Sequence, residues 1–266
     1  NLTVSFYGRT QKATGGADFT LIAIPDPQYY ASTYPSIYNA QMNWVVNNKT
    51  ARNIKYVMSL GDNVNTAANT SEWTAANTAW DILTSGIVPY GLIPGNHDGA
   101  PSGTGNFNTY FGSRISGQTT YGGRPVGASD YDNTYATFSA SGMDFIVLFI
   151  EYDDSMNSTS NPILVWADGL LAANPTRRAI VVTHNLLSGN NLTAQGQAIY
   201  DALKDQPNLF LMLGGHLDET GQNSFVYEGR TVYALRSDYQ FIDSQQSGYL
   251  RIMRFFRFHA VFGEGA

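Results

Sequence analysis

The sequence predicts an α/β protein built on a largely parallel or mixed sheet, and two observations carry that reading. Short apolar runs rich in Val, Ile, Leu, Phe and Tyr recur along the chain, and segments with helical apolar spacing lie between them. Runs so uniformly apolar read as strands covered on both faces. Strands that alternate with helices read as a layered α/β fold.

The first run, FTLIAIPD, ends at Asp26. A helix follows from Pro35, where Ile37, Ala40, Trp44 and Val45 keep the 3.6-residue period. IKYVMSLGD ends at Asp62, and a second helix is expected from Thr70, a candidate cap, with Trp73, Ala76, Trp80 and Leu83 on its apolar face. IVPYGLIPGNHD ends at Asp98. Gly99 to Asp132, rich in Gly, Ser, Thr and Asn, reads as a long loop, and Asp153 to Pro162 as a shorter one. Between them MDFIVLFIEYD ends at Asp153. Ile163, Trp166, Leu170 and Leu171 mark a third helix, RRAIVVTHN a strand ending at Asn185, and Gln197 to Lys204 a fourth helix. NLFLMLGGHLD ends at Asp218, and RTVYALRSDY and GYLRIMRFFRF are the last runs. The four Trp fall at core spacing, and His259 reads as structural.

The chain has 266 residues, of which 43% are hydrophobic and 14% charged, enough apolar material for a sizeable core. The polar strand ends spread from Asp26 to Asp218 with no linker between them, so residues 1–266 are expected to form one domain. Fifteen Lys plus Arg against 21 Asp plus Glu give a net charge of −6, which argues against duplex nucleic acid as a partner. The absence of Cys excludes disulfides, thiolate zinc sites and Cys nucleophiles. With only 4 Lys and many Asn, Ser, Thr and Tyr, composition leans towards a secreted or cell-surface protein. No apolar run approaches the roughly 18 residues of a membrane helix. The start at Asn1 gives the expectation of a processed chain or an excised domain, and oligomeric state is not readable.

In open α/β sheets ligands bind beyond the carboxyl ends of the strands. The residues there are Asp26-Pro27-Gln28, Gly61-Asp62, Gly95-Asn96-His97-Asp98, His184-Asn185 and Gly215-His216-Leu217-Asp218. Carboxylates, amides and imidazoles are ligands for hard or borderline divalent cations. Glycine beside them permits the tight turns and positive φ of such sites. No G-x-S-x-G elbow, Walker A or H-E-x-x-H sequence is present.

The order D-x-Q, GD, GNHD, a mid-chain His and GHxD resembles the calcineurin-like metallophosphoesterases over about three-quarters of the chain. The resemblance implies a four-layer αββα sandwich with two mixed sheets, and a two-metal site that hydrolyses phosphate mono- or diesters through a hydroxide activated between the ions. It implies that Asp62 bridges both metals, and that Asn96, His184 and His216 complete one of them. It leaves Asp26, Gln28 and Asp218 for the other, where the family normally supplies His at the last two positions. It implies that His97 stands near the leaving group. The family's Asp partner for that His is replaced by Asn65, with Asp98 the nearest substitute.

Both departures from the family pattern fall on one metal, which therefore becomes all-oxygen. Oxygen donors suit Mn or Mg, with Ca a further option, while the half with two imidazoles suits Zn, Fe or Mn. Tyr29 and Asn185 are candidate substrate contacts, and Arg114 and Arg124 candidate phosphate clamps in the long loop. The expected substrate is a small-molecule or glycan-linked phosphate ester. The altered half also leaves open a second expectation, a non-catalytic or single-metal binding module on the same scaffold.

Overall fold

The structure, a computed structural model, describes residues 17–256, so Asn1 and His259 lie outside the described residues. The elements in chain order are β1 (Phe19–Ile24), α1 (Gln28–Ser32), α2 (Pro35–Asn48), β2 (Ile54–Ser59), α3 (Thr70–Ser85), β3 (Tyr90–Gly91) and α4 (Gly105–Ser116). They continue with β4 (Tyr121–Gly123), β5 (Thr134–Ala140), β6 (Met143–Ile150), α5 (Pro162–Ala172), β7 (Arg178–Thr183), β8 (Leu187–Ser188), β9 (Asn191–Leu192) and α6 (Ala194–Leu203). The last are β10 (Leu209–Gly214), β11 (Glu219–Tyr227), β12 (Arg230–Asp238) and β13 (Arg251–Phe255).

Two mixed sheets result, in the orders β13-β1-β2-β3 and β11-β12-β10-β7-β6-β5-β4, with β8 and β9 a separate hairpin. Between the sheets lies a core of Leu21, Ala23, Tyr56 and Met58 from the first against Phe138, Phe145, Val147, Val182 and Leu213 from the second. Tyr56 stacks on Phe138 with ring centroids 4.9 Å apart. The outer face of the first sheet is covered by α1 to α4, and that of the second by α5 and α6. Four layers, αββα, follow from these three apolar interfaces.

All six residues of β1 and of β10 are buried, because each strand has a sheet on one face and helices on the other. At about 1.5–3 kcal/mol per large apolar side chain, that burial is what commits these runs to the centre of the sandwich. Trp73 and Trp80 are fully buried on α3 and pair their indole N–H groups with the Ala67 carbonyl and the Tyr38 hydroxyl. The cap of α3 is Asn69, one residue before the expected Thr70, its Oδ1 accepting from Ser71 N at 3.2 Å.

The stretch 99–132 is not one loop. It contains α4, whose Phe107, Phe111 and Ile115 pack into the outer core of the first sheet, and the edge strand β4. Polar residues on the solvent face of α4 dominated its composition and hid the i, i+4, i+8 apolar stripe. The run before GNHD pairs as a strand only at Tyr90–Gly91, and Leu92 and Ile93 continue buried without ladder partners in the sheet.

The parallel pairs set the site. β1 runs beside β2, and β7 beside β10, so their carboxyl ends point the same way within each sheet. Ladder contacts persist to Leu60 N donating to Ile24 O at 3.0 Å, and Gly215 N donating to His184 O at 2.9 Å. His184 lies at these bonds, and Asp26, Asp62 and His216 just beyond them.

Candidate metal centre

The ligand-bearing turns are conformationally costly. Asp26, Asp62 and His216 have φ of 42°, 49° and 74°, in the left-handed region that non-glycine residues seldom occupy. Such strain persists only where surrounding contacts hold it, and it concentrates at functional sites. The expected role of glycine is thus partly transferred to the ligands themselves. Gly95 and Gly215 serve instead for close approach: a Cβ on either would lie 2.2 Å from a carboxylate oxygen, Asp62 Oδ1 and Asp26 Oδ2 respectively.

In one half of the centre, donor atoms of Asp62, His184 and His216 all lie within 4.8 Å of one another. The buried His184 Nε2 is 3.2 Å from Asp62 Oδ2, 3.1 Å from Asn96 Oδ1 and 3.8 Å from Asp26 Oδ1. Its Nδ1–H donates to the Leu60 carbonyl at 2.6 Å, which leaves Nε2 as the atom that faces the cluster. Burial alone would lower the His184 pKa, but Asp62 and Asp26 outweigh it and push it up to about 10. A proton on Nε2 therefore does in the bare protein what a cation would do. His216 moves the other way, down to about 4, through burial and the neighbouring His184 charge. Burial opposes the Asp62 carboxylate, yet His184 and His97 keep its pKa below the usual carboxylate range.

In the other half, Asp26 Oδ1 accepts from His216 N at 2.9 Å, and Asp26 Oδ2 is buried with no hydrogen-bond partner. Gln28 donates from Nε2 to Gln240 Oε1 at 2.6 Å, and its own Oε1 is likewise buried and unpartnered. Orphaned buried oxygens cost roughly 1–3 kcal/mol each, and a cation is one kind of group that would satisfy them. Burial, then Asp238 and Asp62, push the Asp26 carboxyl well above its ordinary range, with His184 opposing them. The donor set fits divalent ions: carboxylate, amide and two imidazoles on one side, carboxylate and amide oxygens on the other. Asp218 is not drawn into this buried group. Its side chain is exposed at the start of the hairpin strand β11, and its carbonyl is held by Arg236 Nη2 at 3.0 Å.

His97 is half-buried beside the cluster. Its backbone N–H donates to Asp62 Oδ1 at 2.9 Å, and its Nδ1–H to the Asn65 main-chain carbonyl at 2.8 Å. The expected partnership of His97 with Asn65 is thus made by the backbone, and the Asn65 side chain takes no part in it. Glu72 in the first turn of α3 fixes that carbonyl's loop by accepting from Asn65 N at 2.8 Å and Thr66 N at 2.9 Å.

Asp98 is corrected from a catalytic partner to a structural clamp. Its buried carboxylate accepts from Gly95 N, Asn63 N, Asn63 Nδ2 and Val64 N at 2.9–3.0 Å, which ties the GNHD turn to the Asp62 turn. No bond from it to His97 exists among the described residues. Burial, helped by Asp62, raises its pKa to about 7.

The outer candidates separate. Tyr29 meets Phe241 edge-on at 5.7 Å, and half-buried Asn185 lends its carbonyl to Thr193 Oγ1 at 2.7 Å. Arg124 donates to the Asp130 carbonyl and lies over the Tyr131 ring at 4.4 Å, directly after edge strand β4. Arg114 bonds Asp81 at 2.7 Å and the Tyr90 hydroxyl at 3.1 Å, tying α4 to α3. Sequence reasoning missed Tyr152, whose ring centroid is 5.3 Å from that of His216, and also Asp238 and Gln240. Tyr152 lies in FIEYD, a polar strand end like the others, which was a usable signal. Asp238 had none.

The profile of the calcineurin-like phosphoesterase family matches residues 19–218. An uncharacterized protein of Bacillus subtilis strain 168, YvnB, is 31% identical over 252 residues, covering 89% of this chain but 19% of that protein. The chain therefore spans about a fifth of the length of that curated relative. Among solved structures, a dimetal phosphatase from Danio rerio is similar at TM-score 0.55 and 17% identity, over 82% of this chain and 87% of that one. GAP50, the anchor in the inner membrane complex of Plasmodium, is similar at TM-score 0.56 and 13% identity, over 90% and 82%. The chain belongs to the calcineurin-like phosphoesterase family.

Proposed function

We propose that this calcineurin-like phosphoesterase hydrolyses a phosphate ester at a two-metal centre, with a small-molecule or glycan-linked ester as substrate. The observation that carries the reading is the convergence of His184 Nε2 with Asp62 Oδ2, Asn96 Oδ1 and Asp26 Oδ1, together with two buried oxygens left without a hydrogen-bond partner, Asp26 Oδ2 and Gln28 Oε1. Asp62, Asn96, His184 and His216 would hold one cation, Zn, Fe or Mn. Asp26, Gln28 and Asp62 would hold the other, Mn or Mg, with Asp218 as a ligand only if its exposed side chain turns inward. When bound, a pair of divalent cations polarises phosphoryl oxygens and makes hydroxide available at neutral pH.

The chain's own residues supply the rest. The Asn65 carbonyl holds His97 Nδ1 as a donor, so Nε2 is the nitrogen left for the departing oxygen, and it would give a proton there from the doubly protonated ring, which returns to neutral with Nδ1–H retained. The His97 backbone N–H meanwhile fixes Asp62 Oδ1, coupling the acid to the bridging carboxylate. Tyr152 beside His216 and Tyr29 with Phe241 would give the mouth an aromatic wall on which the organic part of an ester rests.

The test is turnover of p-nitrophenyl phosphate and its bis-ester by chelator-stripped protein refilled with Mn, Mg, Ca or Zn separately. Restoration by Mn is the expected result, and the preferred ester divides mono- from diesterase. No turnover with any ion would move the weight to the second reading, a single-metal or non-catalytic binding module. The neutral Gln28 and the outlying Asp218 favour that reading, and a metal content of one ion or none would mark it.

A further inference from the structure

The oxygen-rich half depends on one neutral ligand whose orientation is chemically ambiguous. A glutamine amide turned one way offers an oxygen to a cation, and turned the other way offers an NH₂ that repels it. Gln28 is 2% exposed, so water does not decide between the two. Among the described residues its side chain bonds Gln240, itself an amide with the same ambiguity.

Asp238 breaks the tie. A carboxylate can only accept. Its Oδ2 takes a bond from Gln240 Nε2 at 2.7 Å, and its Oδ1 takes one from Gln240 N at 3.0 Å. With its NH₂ spent on Asp238, Gln240 presents Oε1 to Gln28, and accepts from Gln28 Nε2 at 2.6 Å. Gln28 is then left with Oε1 facing away from the relay, buried and without a partner. Gln240 and Asp238 are 5% and 1% exposed, so the whole chain of bonds runs out of reach of solvent.

We propose that Asp238 and Gln240 are positioning residues that set the polarity of this relay and so hold the Gln28 oxygen towards the oxygen-rich metal position. The inference rests on the two-metal reading given above. It assigns a role to two residues outside every motif of the chain. Outer partners of this kind orient ligands, and their loss costs about 10- to 100-fold in metal affinity. Asp238 also places a buried carboxylate beside Asp26, where its charge is felt, and so adds negative potential to the half whose ligand Gln28 has none.

The experiment is titration of the chelator-stripped full chain with Mn²⁺, followed by calorimetry and electron paramagnetic resonance, with circular dichroism to confirm the fold. The wild type is expected to take two ions in two steps. Gln240→Met, close in shape but unable to bond, should weaken the second step about 10- to 100-fold and leave the first unchanged. Asp238→Asn should do the same, because its amide lets the relay reverse.

Gln28→Glu is the decisive background. Its two oxygens are equivalent, so orientation no longer matters, and Gln28→Glu/Gln240→Met should bind Mn²⁺ as Gln28→Glu does. An equal loss in both backgrounds would mean that Gln240 acts through the fold, and would overturn the relay. So would unchanged Mn²⁺ binding by Gln240→Met while the wild type takes two ions, an outcome that leaves the two-metal reading standing. A wild type that takes one ion removes the oxygen-rich position and the relay with it. One that takes none overturns the two-metal reading itself.

Discussion

The two halves of the centre are built from different materials. In the half with two imidazoles, two of the donors are steered by backbone bonds: His184 by the Leu60 carbonyl, Asp62 by the His97 N–H. Its atoms are already gathered, and a proton on His184 holds them together without metal. In the oxygen-rich half the acceptors stand unpartnered, one ligand is a neutral amide, and the fourth expected residue is exposed. Each half has a group that can take a proton in place of a metal, His184 in the first and the buried Asp26 carboxyl in the second, but the second also keeps two buried oxygens without a hydrogen-bond partner. The first half is therefore preorganised, and the second depends on what binds it.

The largest expected effect comes from the residue proposed to be common to both halves. Asp62→Asn should empty both positions and lower kcat/KM by about a thousandfold or more, near 4 kcal/mol, with the fold kept. Metal analysis of the purified variant checks it, and a variant that retains one full equivalent would show that the halves do not share this carboxylate. Next, His184→Asn should abolish Zn binding while a weaker Mn step persists. Calorimetry with each ion reads the difference, and simultaneous loss of both steps would mean that the halves are one cooperative site.

Acid–base behaviour gives a third contrast. In metal-free protein the His184 pKa stands at about 10, above its unfolded value near 6.5. Its contribution to stability is then full below about pH 6.5 and is lost as pH rises through 10. Denaturant unfolding of the stripped chain should become easier across that window. Zn replaces the proton, so its binding should release protons and tighten as pH rises. A stripped chain that grows more stable from pH 7 to 10 would contradict the assignment. The smallest effect is expected at Arg124, which serves neither half. Arg124→Ala should leave KM for p-nitrophenyl phosphate within twofold and remove about 0.5–1 kcal/mol of stability through its Tyr131 contact. A large rise in KM would restore it as a phosphate clamp.

Much of this was legible before any coordinates. The buried strands β1, β2, β7 and β10 are contiguous apolar runs, and Asp26, Asp62, His184 and His216 lie within three residues of their ends. Local sequence carries such information because strand and strand end are neighbours in the chain. What failed to show was contact across distance, or apolar spacing masked by polar composition. α4 hid behind its solvent face. Asp98 looked like a partner for the adjacent His97, yet its carboxylate reaches Asn63, 35 positions earlier.

The sequence by itself determined the layered α/β class and the residue types that meet cations, because burial of apolar runs and donor chemistry are properties of the residues alone. Tertiary structure decided which donors converge and which way each one points. It turned Asp98 into a clamp, left Asp218 outside, and joined Gln28 to Gln240 across 212 positions. The reason is physical: hydrogen-bond polarity and left-handed turns at Asp26, Asp62 and His216 exist only once both sheets have closed around them.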